Sequence, residues 1–95
     1  MEIRFSSNAY SSLVRVVNFI ESKNTKGSGL RWASRFESFL LSSLIKPSEI
    51  KLCNNKTFRQ LNLRCIYFND WVVAFSCIEN LVLIELILHK SRITD

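Results

Sequence analysis

The fold is decided by residues 61–92, LNLRCIYFNDWVVAFSCIENLVLIELILHKSR, in which three apolar runs follow one another with two short polar breaks. The breaks are Asn69-Asp70 and Glu79-Asn80, and residue pairs of this kind tolerate tight hairpin geometry. Aromatic and β-branched runs joined by such short loops predict an antiparallel meander, because parallel neighbours need a crossover of about a dozen residues. The middle run, residues 71–78, is nearly all apolar, which is typical of a strand covered on both faces.

The first half of the chain predicts the elements that cover this sheet. Residues 1–6 alternate apolar and polar side chains, as a short strand does. Apolar side chains then recur at helical spacing over residues 9–20 and 30–45, and a linker with both glycines of the chain joins these two helices. Residues 49–54 predict a weak further strand. The predicted order is β-α-α-β-β-β-β, an α+β fold in which a two-helix hairpin packs on a mostly antiparallel sheet.

Length and composition limit the class of protein. We expect a single domain spanning residues 1–95, and the longest apolar run is far shorter than the roughly 20 residues of a membrane span. One histidine and three scattered cysteines lack metal-ligand spacing, and the sequence has no glycine-rich phosphate loop, so we expect no metal and no cofactor. Because Cys53, Cys65 and Cys77 form no CxxC pair, we expect reduced thiols in a cytoplasmic protein.

Basic side chains are unevenly distributed along the chain. The formal charge of +5 favours a polyanion or an acidic protein as partner. Residues 46–64 hold five basic side chains against Glu49 alone, and the tail adds two more. We expect neither Arg59 nor Arg64 in the core, so that both could be replaced without loss of the fold. The candidate target-binding residues are Lys56, Arg59, Arg64, Lys90 and Arg92.

Several short motifs resemble one known family. They are the opening strand, the Ala9 that starts the first helix, the helix ending LIKP at residues 44–47, LRCIYF at 63–68, and the ending LILHKSR at 86–92. With these motifs the chain resembles the RelE/ParE superfamily of toxins from bacterial type II toxin–antitoxin modules, and its ending is ParE-like. The resemblance implies a small growth-inhibiting toxin of a plasmid-stabilisation type. It also implies a cognate antitoxin protein, often with a segment lying over the helices and sheet.

The resemblance leaves the molecular target open. ParE-like members act by binding DNA gyrase, whereas RelE-like members are ribosome-dependent endoribonucleases that cleave mRNA without a metal. A third hypothesis is that the protein is a diverged, inactive member of the family. These alternatives also leave open whether the protein is an enzyme.

Cleavage of RNA through its 2′-hydroxyl needs an acid, a base and cations around one phosphate. Here His89 would act as acid or base, and cations would come from Lys56, Arg59 and Arg64. Tyr67 or Trp71 would stack on a base. Two features of the nucleolytic relatives are missing: the chain has no tyrosine after Tyr67, and Phe58 with its neighbours stands where one branch has a glutamate.

Overall fold

A four-stranded sheet is covered by a helix hairpin, and the computed structural model describes residues 1–92. The predicted α+β class, the hairpin and the antiparallel meander are confirmed. Short 3-10 turns follow α2 and β4, at Pro47–Glu49 and Lys90–Arg92. The strands are β1 (Glu2–Phe5), β2 (Arg64–Phe68), β3 (Trp71–Ile78) and β4 (Leu81–His89); the helices are α1 (Ser7–Lys23), α2 (Ser28–Ser43) and α3 (Lys56–Gln60).

The strand order is β1-β4-β3-β2, so β1 lies at one edge and pairs in parallel with β4. The two hairpin pairs, β2 with β3 and β3 with β4, are antiparallel. A bulge interrupts the second pair, because Ala74 opposes Leu86 whereas Phe75 opposes Ile84. Glu85 is the extra residue, and its carbonyl accepts a 3.2 Å hydrogen bond from the Ser6 hydroxyl. The same hydroxyl oxygen accepts from the backbone N–H of Ala9 at 3.0 Å, which caps α1 and joins it to the sheet.

The main core lies between the helix hairpin and the sheet. Trp32 stacks on Phe36 with ring centroids 5.1 Å apart, and Phe68 of β2 meets Phe36 edge-on at 5.6 Å. All four residues 72–75 of β3 are buried, with Val73 and Phe75 in the helix-side core and Ala74 in a smaller cluster on the other face. The prediction of a central strand covered on both faces is therefore confirmed.

The turn between α1 and α2 is fixed by one carboxylate. Glu21 of α1 accepts hydrogen bonds from the backbone N–H groups of Gly27 at 2.7 Å and Gly29 at 2.8 Å. These two bonds hold the pKa of Glu21 below its usual value, because they stabilise the ionised carboxylate. Gly27 has a φ of 87°, a left-handed conformation that glycine adopts without a steric cost. The carboxylate thereby satisfies backbone donors at the start of α2 that have no partner within the helix.

The strand predicted over residues 49–54 does not form. Its first residue, Glu49, ends the 3-10 turn that begins at Pro47, and Asn55 already caps α3 by accepting from the N–H of Phe58 at 3.0 Å. Only Leu52 reaches the sheet, in an isolated bridge to Arg64. Between the 3-10 turn and α3, this segment has too few alternating apolar residues to form a strand with a regular series of backbone hydrogen bonds.

The expectation of three reduced cysteines is also wrong for this structure. Cys53 and Cys65 form a disulfide, with their Cα atoms 4.8 Å apart, whereas Cys77 is free. The sequence spacing hid the pair because Cys53 follows the bridge at Leu52, which places it beside β2.

Candidate functional sites

The short helix α3 presents two of the predicted basic residues. Phe58 is held against a small cluster of buried residues, Cys53, Leu63 and Ala74, on the face of the sheet opposite the helix hairpin. Lys56 and Arg59 are exposed, and their spacing of three residues places them on the same side of the helical turn. Lys56 and Arg59 form what we call the α3 cluster. Arg64 begins β2 at an alternating position that it shares with Ile66 and Phe68 of the main core, so its side chain lies on the other face of the sheet from α3.

Arg64 has a structural contact that the sequence did not reveal. Its side chain is half-buried, and one guanidinium nitrogen donates a hydrogen bond to the carbonyl oxygen of Ile50. The backbone of Arg64 also forms the bridge to Leu52. Arg64 lies outside the core, as expected, but its side chain also anchors the segment that precedes α3, so its replacement should lower stability.

The other predicted residues, His89, Lys90 and Arg92, lie together where β4 ends, and we call them the tail cluster. His89 is paired across the sheet with Trp71, and the two rings meet edge-on at 5.1 Å. The Nδ1 atom of His89 accepts the backbone N–H of Ser91 at 3.2 Å and lies 2.8 Å from the Ser91 hydroxyl oxygen. A neutral ring that accepts at Nδ1 carries its proton on Nε2.

Asp70 is a member of this region that sequence reasoning missed. Its carboxylate lies 3.0 Å from the Lys90 ammonium, and its carbonyl accepts the backbone N–H of Lys90 at 2.8 Å. The hydrogen bond from Lys90 and then the positive charge of Lys90 hold the pKa of Asp70 below its usual value. A signal was present, because Asp70 belongs to the turn that immediately precedes Trp71, the strand partner of His89.

The structure does not bring the predicted catalytic set together. His89 is level with Trp71 and Phe68 across the sheet, whereas Arg64 is level with Phe75. Four residues of β2 separate these two levels, which is about 13 Å along the strand at roughly 3.3 Å per residue. Groups that act on one phosphate must lie within hydrogen-bonding reach of it. The helix α3 packs on the other face of the sheet from Trp71, the strand partner of His89, so the α3 cluster and the tail cluster are also two separate basic sites.

The two aromatic candidates differ in their surroundings. Trp71 is half-buried, and its ring meets that of Trp32 in the main core at 6.2 Å. Tyr67 is 56% exposed, and it lies two residues from Cys65, on the face of the sheet that carries α3. Of these two rings, Tyr67 offers more surface for contact with a partner.

An apolar groove of about 500 Å³ runs between β1, α1 and α2. Leu41 on its rim is 62% exposed, although it lies in a helix whose other large apolar residues are mostly buried. Exposed apolar surface next to a groove is typical of a protein interaction site. Its apolar lining includes Ile3, Phe5, Leu13, Phe36, Leu40 and Leu41.

Within residues 1–92, no cluster of histidine, cysteine and carboxylate side chains has the arrangement of a metal site. None of the helices in the described part of the chain is long and apolar enough to cross a membrane.

The architecture is that of an α+β protein with a helix hairpin on a sheet of order β1-β4-β3-β2, in which β1 is the parallel edge strand. The chain shares this fold with a chain of the solved structure described as "Chromosomal ParDE TA system from P. aeruginosa", at a TM-score of 0.76. The match covers 94% of this chain and 95% of that chain, at 9% sequence identity. No protein-family model and no curated protein sequence matches. The fold that the RelE/ParE resemblance implied is confirmed.

Proposed function

We propose that this protein is a ParE-type toxin of a type II toxin–antitoxin module, acting in the cytoplasm by binding an essential target. The observation that carries the proposal is the match to a chain of a ParDE toxin–antitoxin system over nearly the whole length of both chains. The ParE-like ending of the sequence supports it independently, since HKSR at residues 89–92 closes the last strand.

DNA gyrase is the target that we propose. The separation of His89 from Arg64 favours inhibition by binding over a single catalytic centre that uses both residues. The α3 cluster places exposed Lys56 and Arg59 on the surface, and the tail cluster does the same with Lys90 and Arg92. Two basic sites on one sheet suit an extended acidic surface on a macromolecular partner, because complementary charge directs and orients association.

The cognate antitoxin would occupy the apolar groove between β1, α1 and α2. A segment with apolar side chains would bury Leu41, which is otherwise 62% exposed, and acidic residues beside it would complement the net charge of +5. Replacing Leu41 with Glu would place a charge at this contact without disturbing the buried face of α2. We expect L41E to keep its toxicity and to escape neutralisation by its cognate antitoxin. Ser38→Glu, also exposed on α2, is the matched control and should still be neutralised.

The test of the toxin activity is induced expression in a bacterial host, with pulse labelling of DNA and protein synthesis in the same culture. We expect DNA synthesis to fail first, and the purified protein to inhibit supercoiling by gyrase. Arg59→Ala should weaken this inhibition, whereas Arg35→Ala, which removes an exposed arginine from α2, should not. Normal growth on induction of the folded protein would contradict the toxin proposal and favour a diverged, inactive member.

A RelE-like endoribonuclease is the second candidate. The observation in its favour is the tail cluster, where His89 precedes Lys90 and Arg92 in the chain and accepts a hydrogen bond at Nδ1 from the backbone N–H of Ser91. This reading predicts that translation collapses before DNA synthesis, with mRNA cut at ribosome-bound codons, and that His89→Gln abolishes cleavage. Intact mRNA in the inhibited culture would exclude it.

A further inference from the structure

The Cys53–Cys65 disulfide closes a loop that contains α3. The two cysteines are 12 residues apart in sequence, and the loop between them includes Lys56 and Arg59. Cys53 is 1% exposed, whereas Cys65 on the edge strand β2 is half-buried. The cross-link thus ties the residues that carry both members of the α3 cluster to the rim of the sheet.

Besides the disulfide, a short helix, a small buried cluster and backbone hydrogen bonds to Leu63 hold this loop. The helix α3 has five residues, and a helix that short is not stable on its own. It packs on a small cluster of buried residues. The carbonyl oxygen of Leu63 accepts the backbone N–H of Cys53 at 2.9 Å, and the N–H of Leu63 donates to the carbonyl oxygen of Phe58 at 3.0 Å. Loops with so little buried surface open locally more readily than the core of a domain. The covalent bond therefore adds to these contacts in keeping α3 against the sheet.

We propose that Cys53 and Cys65 form a thiol–disulfide switch that controls the order of α3. The oxidised form holds Lys56 and Arg59 in a fixed position on the face of the sheet opposite the helix hairpin, and the reduced form releases them. Disulfides in cytoplasmic proteins are usually transient and redox-sensing, because the thiol systems of that compartment reduce them. The effect on toxicity rests on the proposed function, whereas the effect on α3 does not.

The reductant is a dithiol of the thioredoxin class. Its thiolate attacks the Cys65 sulfur, the more accessible of the two, and the bond to Cys53 breaks, so that Cys53 leaves as a thiolate and takes up a proton. The second thiol of the reductant then displaces Cys65 from the mixed disulfide. The products are two cysteine thiols and one disulfide in the reductant, and a disulfide oxidant reverses both steps.

Cys77 provides a control within the same chain. It packs with the helix-side core, whereas Cys53 and Cys65 belong to the cluster on the opposite face of the sheet. It also lies three residues along β3 from Ala74, the partner of Cys65, which is about 10 Å of strand. Cys77 is therefore in no position to exchange with the pair.

The first measurement counts thiols. The protein is equilibrated in oxidised or reduced glutathione, then unfolded in an alkylating agent and weighed by mass spectrometry. We expect one adduct on the oxidised protein, at Cys77, and three on the reduced protein. Three adducts on the protein equilibrated with oxidised glutathione would overturn the proposal.

The second measurement reads the position of α3 by limited digestion with trypsin. Cleavage after Lys56 and Arg59 should be about tenfold or more faster in the reduced protein, because the loop opens locally. Cleavage after Lys26, in the turn between α1 and α2, should not change. The double variant C53S/C65S should be cleaved rapidly in both buffers, whereas C77S should respond as the parent does. Equal cleavage of the oxidised and reduced parent protein would overturn the switch.

Growth inhibition separates this proposal from the proposed function. If the switch governs toxicity, C53S/C65S should inhibit growth less than C77S at equal amounts of folded protein, in a host strain whose cytoplasm lacks its thiol reductases and keeps the pair oxidised. Equal inhibition by the two variants would overturn the link to toxicity. A parent protein that does not inhibit growth, with cleavage still dependent on redox state, would contradict the proposed function and leave the switch of α3 supported.

Discussion

The close approach of α2 to α1 leaves no room for a side chain at Gly29. A Cβ built on Gly29 would lie 2.6 Å from the carbonyl oxygen of Val17 and 3.0 Å from its Cγ1 atom. Because the nearer atom belongs to the backbone, the contact is relieved only if a helix moves. Overpacking of this kind costs about 1 to 3 kcal/mol, whereas alanine in a helix gains roughly 0.5 to 1 kcal/mol over glycine. Because the 2.6 Å contact is with the backbone, we take the upper part of this cost, about 2 to 3 kcal/mol, and expect a net loss of about 1 to 2.5 kcal/mol from Gly29→Ala.

Urea and thermal denaturation followed by circular dichroism measure this loss. For a domain of this size each kcal/mol lowers the melting temperature by roughly 4 to 8 °C. Ser34→Ala, at an exposed position of the same helix, is the control and should leave stability unchanged or slightly higher. If Gly29→Ala were as stable as the parent, the packing argument would be refuted.

Three further changes test the fold and the sites. Two glycine N–H groups hold the pKa of the Glu21 carboxylate below its usual 4.5. The contribution of this carboxylate to the free energy of unfolding is therefore complete above pH 4.5 and is lost as the pH falls through the lowered pKa. The urea midpoint of the parent should therefore fall more between pH 7 and pH 3 than that of Glu21→Gln. Phe36→Ala removes a 2% exposed ring and should cost about 3 to 5 kcal/mol in the same assay. Arg64→Ala breaks the charged hydrogen bond to Ile50 and should cost about 1.5 to 3 kcal/mol, whereas Arg59→Ala should change stability by less than about 0.5 kcal/mol.

Periodicity made the helices and the meander predictable. The apolar stripe that runs from Ala9 in α1, and that of Trp32 and Phe36 in α2, face the main core as their spacing predicts. The breaks at Asn69 and Glu79 are the hairpin turns, and both residues have the left-handed φ that such turns use. These features are local, so a window of the sequence contains the information that determines them.

The features that sequence analysis missed depend on contacts between distant segments. The parallel pairing of Ile3 with Val82 joins two strands at opposite ends of the chain, and no spacing rule specifies it. The disulfide depends on where Leu52 touches β2, and connectivity of cysteines cannot be deduced from their positions in sequence. The same applies to Arg64, whose anchoring role requires the carbonyl of Ile50 beside it.

Single and double substitutions in the two basic clusters can distinguish the candidate functions, because the clusters are separate. Arg59 lies in the α3 cluster, on the face of the sheet opposite the helix hairpin, and Arg92 lies in the tail cluster, just beyond the end of β4. If both contact an extended surface of the target, the free-energy losses from R59A and R92A should add to within about 0.5 kcal/mol, because the sites share no partner. Residues of one catalytic site behave differently, because the first substitution already removes most of the activity and the second adds little. The losses are measured as changes in target binding or in mRNA cleavage. Losses that add would support recognition at two sites. A double variant no worse than either single one would mean that both arginines serve one centre, which would contradict inhibition by a two-site contact.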